Sequence, residues 1–315
     1  MRQMGRSPRH SRAFGAWKLV AVTAMVLAAG MAGAADQKPI TIAIYAPNAP
    51  FESGADRFAF VNRLAQQITS AAGVPAEGKA FARASDLENA IKNKQVDFAI
   101  IDGVYLAERG VPYNVLATAT SGGDTAPRWA LFSGGATSVQ DLQGKKLSLA
   151  ASGTKDALFI ENALLDGELP VKKWFVSLTN APDISSAVAA VNLKKADAVF
   201  APESQGKGLK KIFDAGRVPN PAFCEIASGL APDVVSKVKS AVLSHGAAGP
   251  GLDGWKAGGG EPYRALSSRM GARVRRPVMV EPEPVRIEDQ DVLVPPSLEA
   301  AMPELKALYW QPSAQ

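Results

Sequence analysis

Apolar and polar positions along this chain switch period several times, and each switch marks an element. Ile40-Thr-Ile-Ala-Ile-Tyr45 alternates β-formers with small residues and predicts a strand. The two prolines of Ala46-Pro-Asn-Ala-Pro-Phe51 exclude regular structure directly after it. From Asp56 to Ala71 the residues Phe58, Val61, Leu64, Ala65 and Ile68 recur at helical spacing and predict an amphipathic helix. Ser85-Asp-Leu-Glu88 has the form of a capping box and predicts a second helix that ends near Lys94. Val96-Asp-Phe-Ala-Ile-Ile101 follows as a short apolar strand. Strands alternating with helices predict an α/β fold, a parallel sheet with helices on its faces.

A second region begins with the strand Trp129-Ala-Leu-Phe132. Asp141-Leu-Gln-Gly-Lys-Lys146 turns directly into the strand Leu147-Ser-Leu-Ala150. Ser152-Gly-Thr-Lys-Asp156 then opens a helix through Ala157, Leu158, Ile160, Leu164 and Leu165. Residues 185–193 are expected helical and Ala198-Val-Phe200 a strand. Pro232 to Leu243 has proline in the first turn and valines at helical spacing. Residues 271–296, rich in proline and charge, read as extended, and a final short helix is expected over 297–308.

The pattern also repeats. Ala90-Ile-Lys-Asn-Lys-Gln-Val-Asp97-Phe-Ala-Ile100 aligns position for position with Ala190-Val-Asn-Leu-Lys-Lys-Ala-Asp197-Ala-Val-Phe200. Both read as a helix end, a lysine three residues before an aspartate, and an apolar strand. One copy in each region predicts two similarly built lobes.

The start of the chain changes the charge balance. Arg2, Arg6, Arg9, Arg12 and Lys18 precede an apolar run from Leu19 to Met31, and Ala32-Gly33-Ala34 offers a small-residue cleavage site. This is the pattern of a secretory signal peptide, expected over residues 1–35, with an apolar core too short for a comfortable membrane span. No cysteine adjoins the cleavage site, so a lipoprotein is not expected, and no Arg-Arg pair marks the twin-arginine route. The chain has 35 Lys and Arg against 30 Asp and Glu. The five basic residues of the signal account for the whole excess, so the remainder is formally neutral and no nucleic-acid partner is expected.

Residue counts exclude further chemistry. Cys224 is the only cysteine, so no intrachain disulfide is possible and a buried structural thiol is expected. His245 is the only histidine beyond the signal, which excludes a His- or Cys-rich metal site. No Gly-x-Ser-x-Gly elbow is present and His245 is a poor base candidate, so no enzyme, metal or cofactor is expected.

Taken in order, several of these features resemble a known family. They are the two Lys-x-x-Asp-plus-strand units, Asp141-Leu-Gln-Gly-Lys-Lys146, the Ser152-Gly-Thr154 turn and the helix start Ala231-Pro-Asp233, with weaker support from Pro262-Tyr-Arg-Ala-Leu266. Over residues 38–245 the chain resembles the type II periplasmic solute-binding proteins of bacterial ABC importers, and within them the phosphate/phosphite/phosphonate-binding branch. The resemblance implies two lobes, each a mixed, mostly parallel sheet flanked by helices, joined by two crossover strands near Val115–Thr120 and Phe223–Ala227. Lobe one would comprise residues 36–118 and 226–315, the latter with a C-terminal extension, and lobe two residues 119–225. It further implies a periplasmic monomer that closes on a small anionic solute and presents it to an ABC permease. The same fold also serves exported sensor subunits that engage a membrane receptor or kinase, and the sequence does not separate the two. The family usually has glycine where this chain has Lys94 and Lys194.

Ligands of open α/β sheets sit beyond the carboxyl ends of the strands, which makes the loops leaving each strand the candidates. Asn48 offers hydrogen bonds and Phe51 an apolar wall. Gly103 permits close backbone approach beside Asp102, and Tyr105 offers a hydroxyl. Ser152, Gly153, Thr154 and Lys155 stand at a helix start, where free N–H groups and the helix dipole favour an anion. Glu203 brings a carboxylate, and Ser121 lies beside a crossover. Each has a structural alternative: Ser152 or Thr154 as a helix cap, Lys155 in solvent, Tyr105 packed on its helix, and Asp102 or Glu203 as capping acids. The Ser152–Lys155 turn suits a phosphonate- or phosphate-like anion, and Asp102 or Glu203 an added amine. No arginine cluster appears in these loops, so backbone and hydroxyl donors would carry the anion.

Overall fold

The computed structural model describes residues 38–246 and 251–271. The expected signal peptide, and the expected extended run and final helix beyond residue 271, lie outside the described residues. All described residues belong to one compact unit.

Two sheets organise the chain. The first contains β1 (Ile40–Tyr45), β2 (Ala76–Ala80), β3 (Phe98–Ile101) and β4 (Asn114–Thr120). The second contains β5 (Arg128–Ser133), β6 (Lys146–Ala150), β7 (Ser177–Ala181), β8 (Ala198–Pro202) and β9 (Lys210–Arg217). The chain then returns to the first with β10 (Ala222–Glu225) and β11 (Gly254–Ala257). The strand orders are β11-β4-β10-β3-β1-β2 and β7-β6-β8-β5-β9. β1 lies parallel to β2 and β3, and β6 parallel to β7 and β8, while β10, β11 and β5 run antiparallel to their neighbours. Both crossing strands expected from the resemblance, β4 and β10, are thus paired neighbours within the first sheet. The passages between sheets run through residues 121–127 and 218–221.

Helix α1 (Gly54–Ala72) starts on Ser53, whose hydroxyl accepts Asp56 N, and stops at Gly73 in the left-handed region. Its buried stripe is Arg57, Phe60, Val61, Leu64, Ala65 and Ile68. Phe58, expected on that stripe, is 53% exposed, and the arginine beside it is buried instead. Helix α2 (Ala84–Lys92) begins one residue before the expected capping box, on Arg83 with no side-chain cap. Ser85 is therefore inside the helix, and Glu88 accepts the Tyr105 hydroxyl at 2.6 Å rather than capping.

α3 (Gly103–Glu108) and α4 (Ile184–Asn192) begin on Asp102 and Asp183, each accepting helix N–H groups. α5 (Pro232–Leu243) has the predicted bounds. Beyond Ser152–Lys155 the expected helix is only an α-helical turn, Asp156–Leu158, that runs into a π-helix, Phe159–Leu164. α6 (Glu261–Gly271) links both halves. Tyr263 Oη donates to Asn220 O in the second passage and to Thr118 Oγ1 of β4, while Leu266 and Met270 join the apolar core of the second sheet.

The internal echo is reproduced bond for bond. Lys94 and Lys194 both adopt positive φ, 54° and 57°. Lys94 N donates to Ile91 O and Lys194 N to Val191 O. Asp97 Oδ2 accepts Thr41 N at the start of β1, and Asp197 Oδ2 accepts Lys146 N at the start of β6, both at 2.8 Å.

Candidate functional site

The carboxyl ends of β1 and β3 face those of β6 and β7, and the groups between them interlock. From the first lobe, Asp102 is fully buried and accepts Asn48 N (3.0 Å), Asn48 Nδ2 (3.1 Å) and Val104 N (2.9 Å). Burial pushes its carboxyl up, against the pull of those donors. Asn48 Nδ2 also reaches Ser152 Oγ of the second lobe. Tyr45 Oη donates to Ser152 O at 2.7 Å and Ala151 O at 3.1 Å. Burial first, then the nearby Asp102 and Asp156 charges, push the Tyr45 phenol well up, so it remains a donor.

On the second lobe the Ser152–Lys155 turn uses its amides on carboxylates. Ser152 N and Gly153 N point at Asp156, at 3.2–3.4 Å. Burial drives the Asp156 carboxyl up to about 7, and the charges of Glu108 and Asp102 add to the rise. The other donors cross the cleft. Glu108, the last residue of α3, accepts Thr154 N at 3.0 Å, Thr154 Oγ1 at 2.6 Å and Lys155 N at 3.1 Å. A Cβ on Gly153 would collide with the same carboxylate, so glycine is what admits it.

A second contact lies beside this one, because β6 and β7 are neighbours and Ala151 N donates to Ala181 O. Ile184 N donates to Pro47 O at 2.9 Å, and Ser185 Oγ donates to Phe51 O at 2.7 Å. Arg57 of α1 stands against Asp183, with Nη2 to Oδ2 at 3.6 Å. The cleft left between the lobes is small. A cavity of ≈ 10 Å³ remains against Asn48, Asp102, Trp129 and Asn220, room for about one water.

The ten expected ligand residues fall into three groups. Asn48, Ser152, Gly153, Thr154 and Lys155 meet at the interlobe contact just described. Phe51, Gly103 and Tyr105 are buried within the first lobe. The Phe51 ring packs edge-on against Phe60, with 5.4 Å between centroids, and only its carbonyl reaches the other lobe. Gly103 makes its close approach to Pro219 O in the passage. Tyr105 packs on Tyr45 and spends its hydroxyl on Glu88. Ser121 and Glu203 line a separate open hollow of ≈ 240 Å³ with Arg128 and Arg217, where Ser121 bridges Asp124 and Glu203 pairs with Lys211.

Three cleft residues went unnoticed in sequence. Glu108 ends a six-residue helix without periodic signal. Tyr45 reads simply as the end of a strand. Arg57 was hidden by Phe58, whose apolar side chain fits the helical count better than a charge does.

Groups suited to acid–base chemistry are engaged elsewhere. Cys224 is buried in β10, and burial raises its thiol. His245 Nδ1 faces Gln67 Oε1 at 2.6 Å, its ring lies against Phe60, and burial together with Arg63 lowers its pKa. Among the described residues no group of three His, Cys, Asp or Glu could hold a metal ion, and no helix is long and apolar enough to cross a membrane.

No protein-family model matches the sequence, and no curated protein matches it. Solved structures do. A binding protein component of an ABC phosphonate transporter from Pseudomonas aeruginosa matches at 14% identity and TM-score 0.57, covering 75% of this chain and 88% of that one. PhnD1 from Prochlorococcus marinus, in complex with methylphosphonate, matches at 11% identity and TM-score 0.59, covering 74% and 97%. A Xanthomonas citri protein bound to ATP matches at 13% identity and TM-score 0.55, covering 75% and 98%. At such identities the likeness is one of fold. The chain has the two-lobed periplasmic-binding-protein fold.

Proposed function

We propose that this protein is a non-catalytic, periplasmic solute-binding protein that captures a small phosphonate- or phosphate-like anion between its lobes and delivers it to an ABC permease. One observation carries the reading: Thr154 N, Thr154 Oγ1 and Lys155 N converge on a single carboxylate brought by the opposite lobe. Donors so arranged suit an oxyanion, and the Glu108 carboxylate stands where such an anion would sit. A solute would enter an opened cleft, replace Glu108 on those amides and let the lobes close again around it. Two of the structures sharing the fold are named for phosphonate transport or hold methylphosphonate, which fits this chemistry.

The acids of the site speak against an ammonium group on the ligand. Asp102 is filled by its own donors and Glu203 by Lys211. Alkyl phosphonates are therefore expected to bind at least as well as aminoalkyl phosphonates. The test is a thermal-shift series with methylphosphonate, 2-aminoethylphosphonate, inorganic phosphate and methanesulfonate. A ligand at a thousandfold excess over its Kd adds about 4 kcal/mol of stability, a shift of several degrees. A rise with phosphonate or phosphate supports the reading. No rise with any of the four sinks it.

A further inference from the structure

We infer that Arg57 is the charged donor that holds the solute's oxyanion from the first lobe, opposite the Ser152–Lys155 amides. This rests on the solute-binding reading above and names a residue and a ligand requirement that the reading lacks. Arg57 is 4% exposed, yet among the described residues its guanidinium makes no hydrogen bond. Its Nε is buried without a hydrogen-bond partner among the described residues. Asp183 Oδ2 stands 3.6 Å away, beyond hydrogen-bonding distance, and the other Asp183 oxygen is already taken by Ser186 N at 2.8 Å.

A buried guanidinium nitrogen with an unused donor is costly, and such groups are found paired. Nothing in the helix requires the charge there, since the remaining positions of the buried stripe of α1 are apolar. Asp56, the acid next to it, is engaged with Ser53 on an exposed surface. The location fits a ligand contact. Asp183 and Ser152 leave adjacent strands of the second sheet, and Arg57 faces Asp183 from the first lobe. Arg57 thus stands on the first-lobe side of the cleft, at the strand next to the one that carries the turn whose amides hold Glu108. Its planar fork accommodates two oxygens of one group, so the solute is a phosphonate, phosphate or carboxylate with at least two oxygens free to share.

Asp183 then acts as a weak placeholder on Arg57, as Glu108 does on the turn. This separates a ligand-binding arginine from a simple interlobe ion pair. The experiment is isothermal titration of the full-length gene product with methylphosphonate and with inorganic phosphate, for the wild type and for Arg57→Gln, Arg57→Lys and Asp183→Asn. Arg57→Gln is expected to weaken binding about ten- to a hundredfold, the range for losing charge-assisted hydrogen bonds. Arg57→Lys, which keeps charge without the fork, should fall between it and the wild type. Asp183→Asn keeps a good helix cap and frees the arginine, so binding should tighten. If Asp183→Asn weakens binding as much as Arg57→Gln does, the pair is only a latch and the inference is wrong. Unchanged affinity in Arg57→Gln overturns it as well. A wild type that binds neither anion overturns the solute-binding reading and this inference with it.

Discussion

Asp156 shows how one side chain sets the pH response of the cleft. Its carboxyl titrates near 7 in the fold against 3.8 for an unperturbed aspartate, because burial disfavours the charge more than the Ser152 and Gly153 amides favour it. The folded state therefore holds the proton more tightly than the unfolded state. That contribution to stability is complete below pH 3.8 and is lost as pH rises to about 7. Wild-type melting temperature should fall across this window on account of Asp156. Asp156→Asn, which leaves a neutral acceptor for the same amides, should flatten the fall, and thermal melts at half-unit pH steps would show it. An unchanged slope in the variant would assign the pH response to other groups. Anion affinity should weaken over the same range, as a charge appears beside the site.

Single elements explain where the sequence could be read and where it could not. β1 is buried along all six residues and α5 presents valines at helical spacing, so both were legible from composition and period. β2 and β7, at sheet edges, bury almost nothing, and a strand that buries little leaves no apolar pattern. The helix exits at Lys94 and Lys194 were legible as a repeat because the aspartate after each ties the start of a neighbouring parallel strand, β1 or β6, in place. Both lysines stand in the left-handed region, where a β-carbon is strained and glycine is not. Lys94→Gly or Lys194→Gly should thus stabilise the fold by about 0.5–1 kcal/mol, the strain relieved less the chain entropy glycine adds. Urea titration of each single variant measures this, and a loss of stability at both would show that the lysine side chains hold the turns by other contacts.

At the scale of the whole molecule, the closed arrangement rests on polar contacts between lobes. The Tyr45 hydroxyl, Ile184 N, Ser185 Oγ and the Glu108 carboxylate each cross the cleft. With Glu108 on the Thr154 and Lys155 amides, binding is an exchange: a ligand must displace that carboxylate before it gains the same donors, and its apparent affinity is reduced accordingly. Glu108→Gln weakens the internal competitor, so methylphosphonate should bind about tenfold tighter, the scale of one charge-assisted hydrogen bond. Titration calorimetry gives the comparison, and looser binding by the variant would show that Glu108 belongs to the ligand site rather than competing for it.

The sequence by itself determined the α/β class, the two repeated halves, the strands β1, β3, β5, β6 and β8 and the polar turn at Ser152–Lys155. These are local matters: period, turn chemistry and capping act over a few residues and leave their mark in the order of side chains. Only the tertiary structure decided what that turn faces. Glu108 lies 46 residues from Thr154 and Tyr45 lies 107 from Ser152, so no spacing along the chain could bring them together. Arg57 likewise takes its meaning from burial against another lobe. A charge on a helix face reads as solvent until packing removes the solvent.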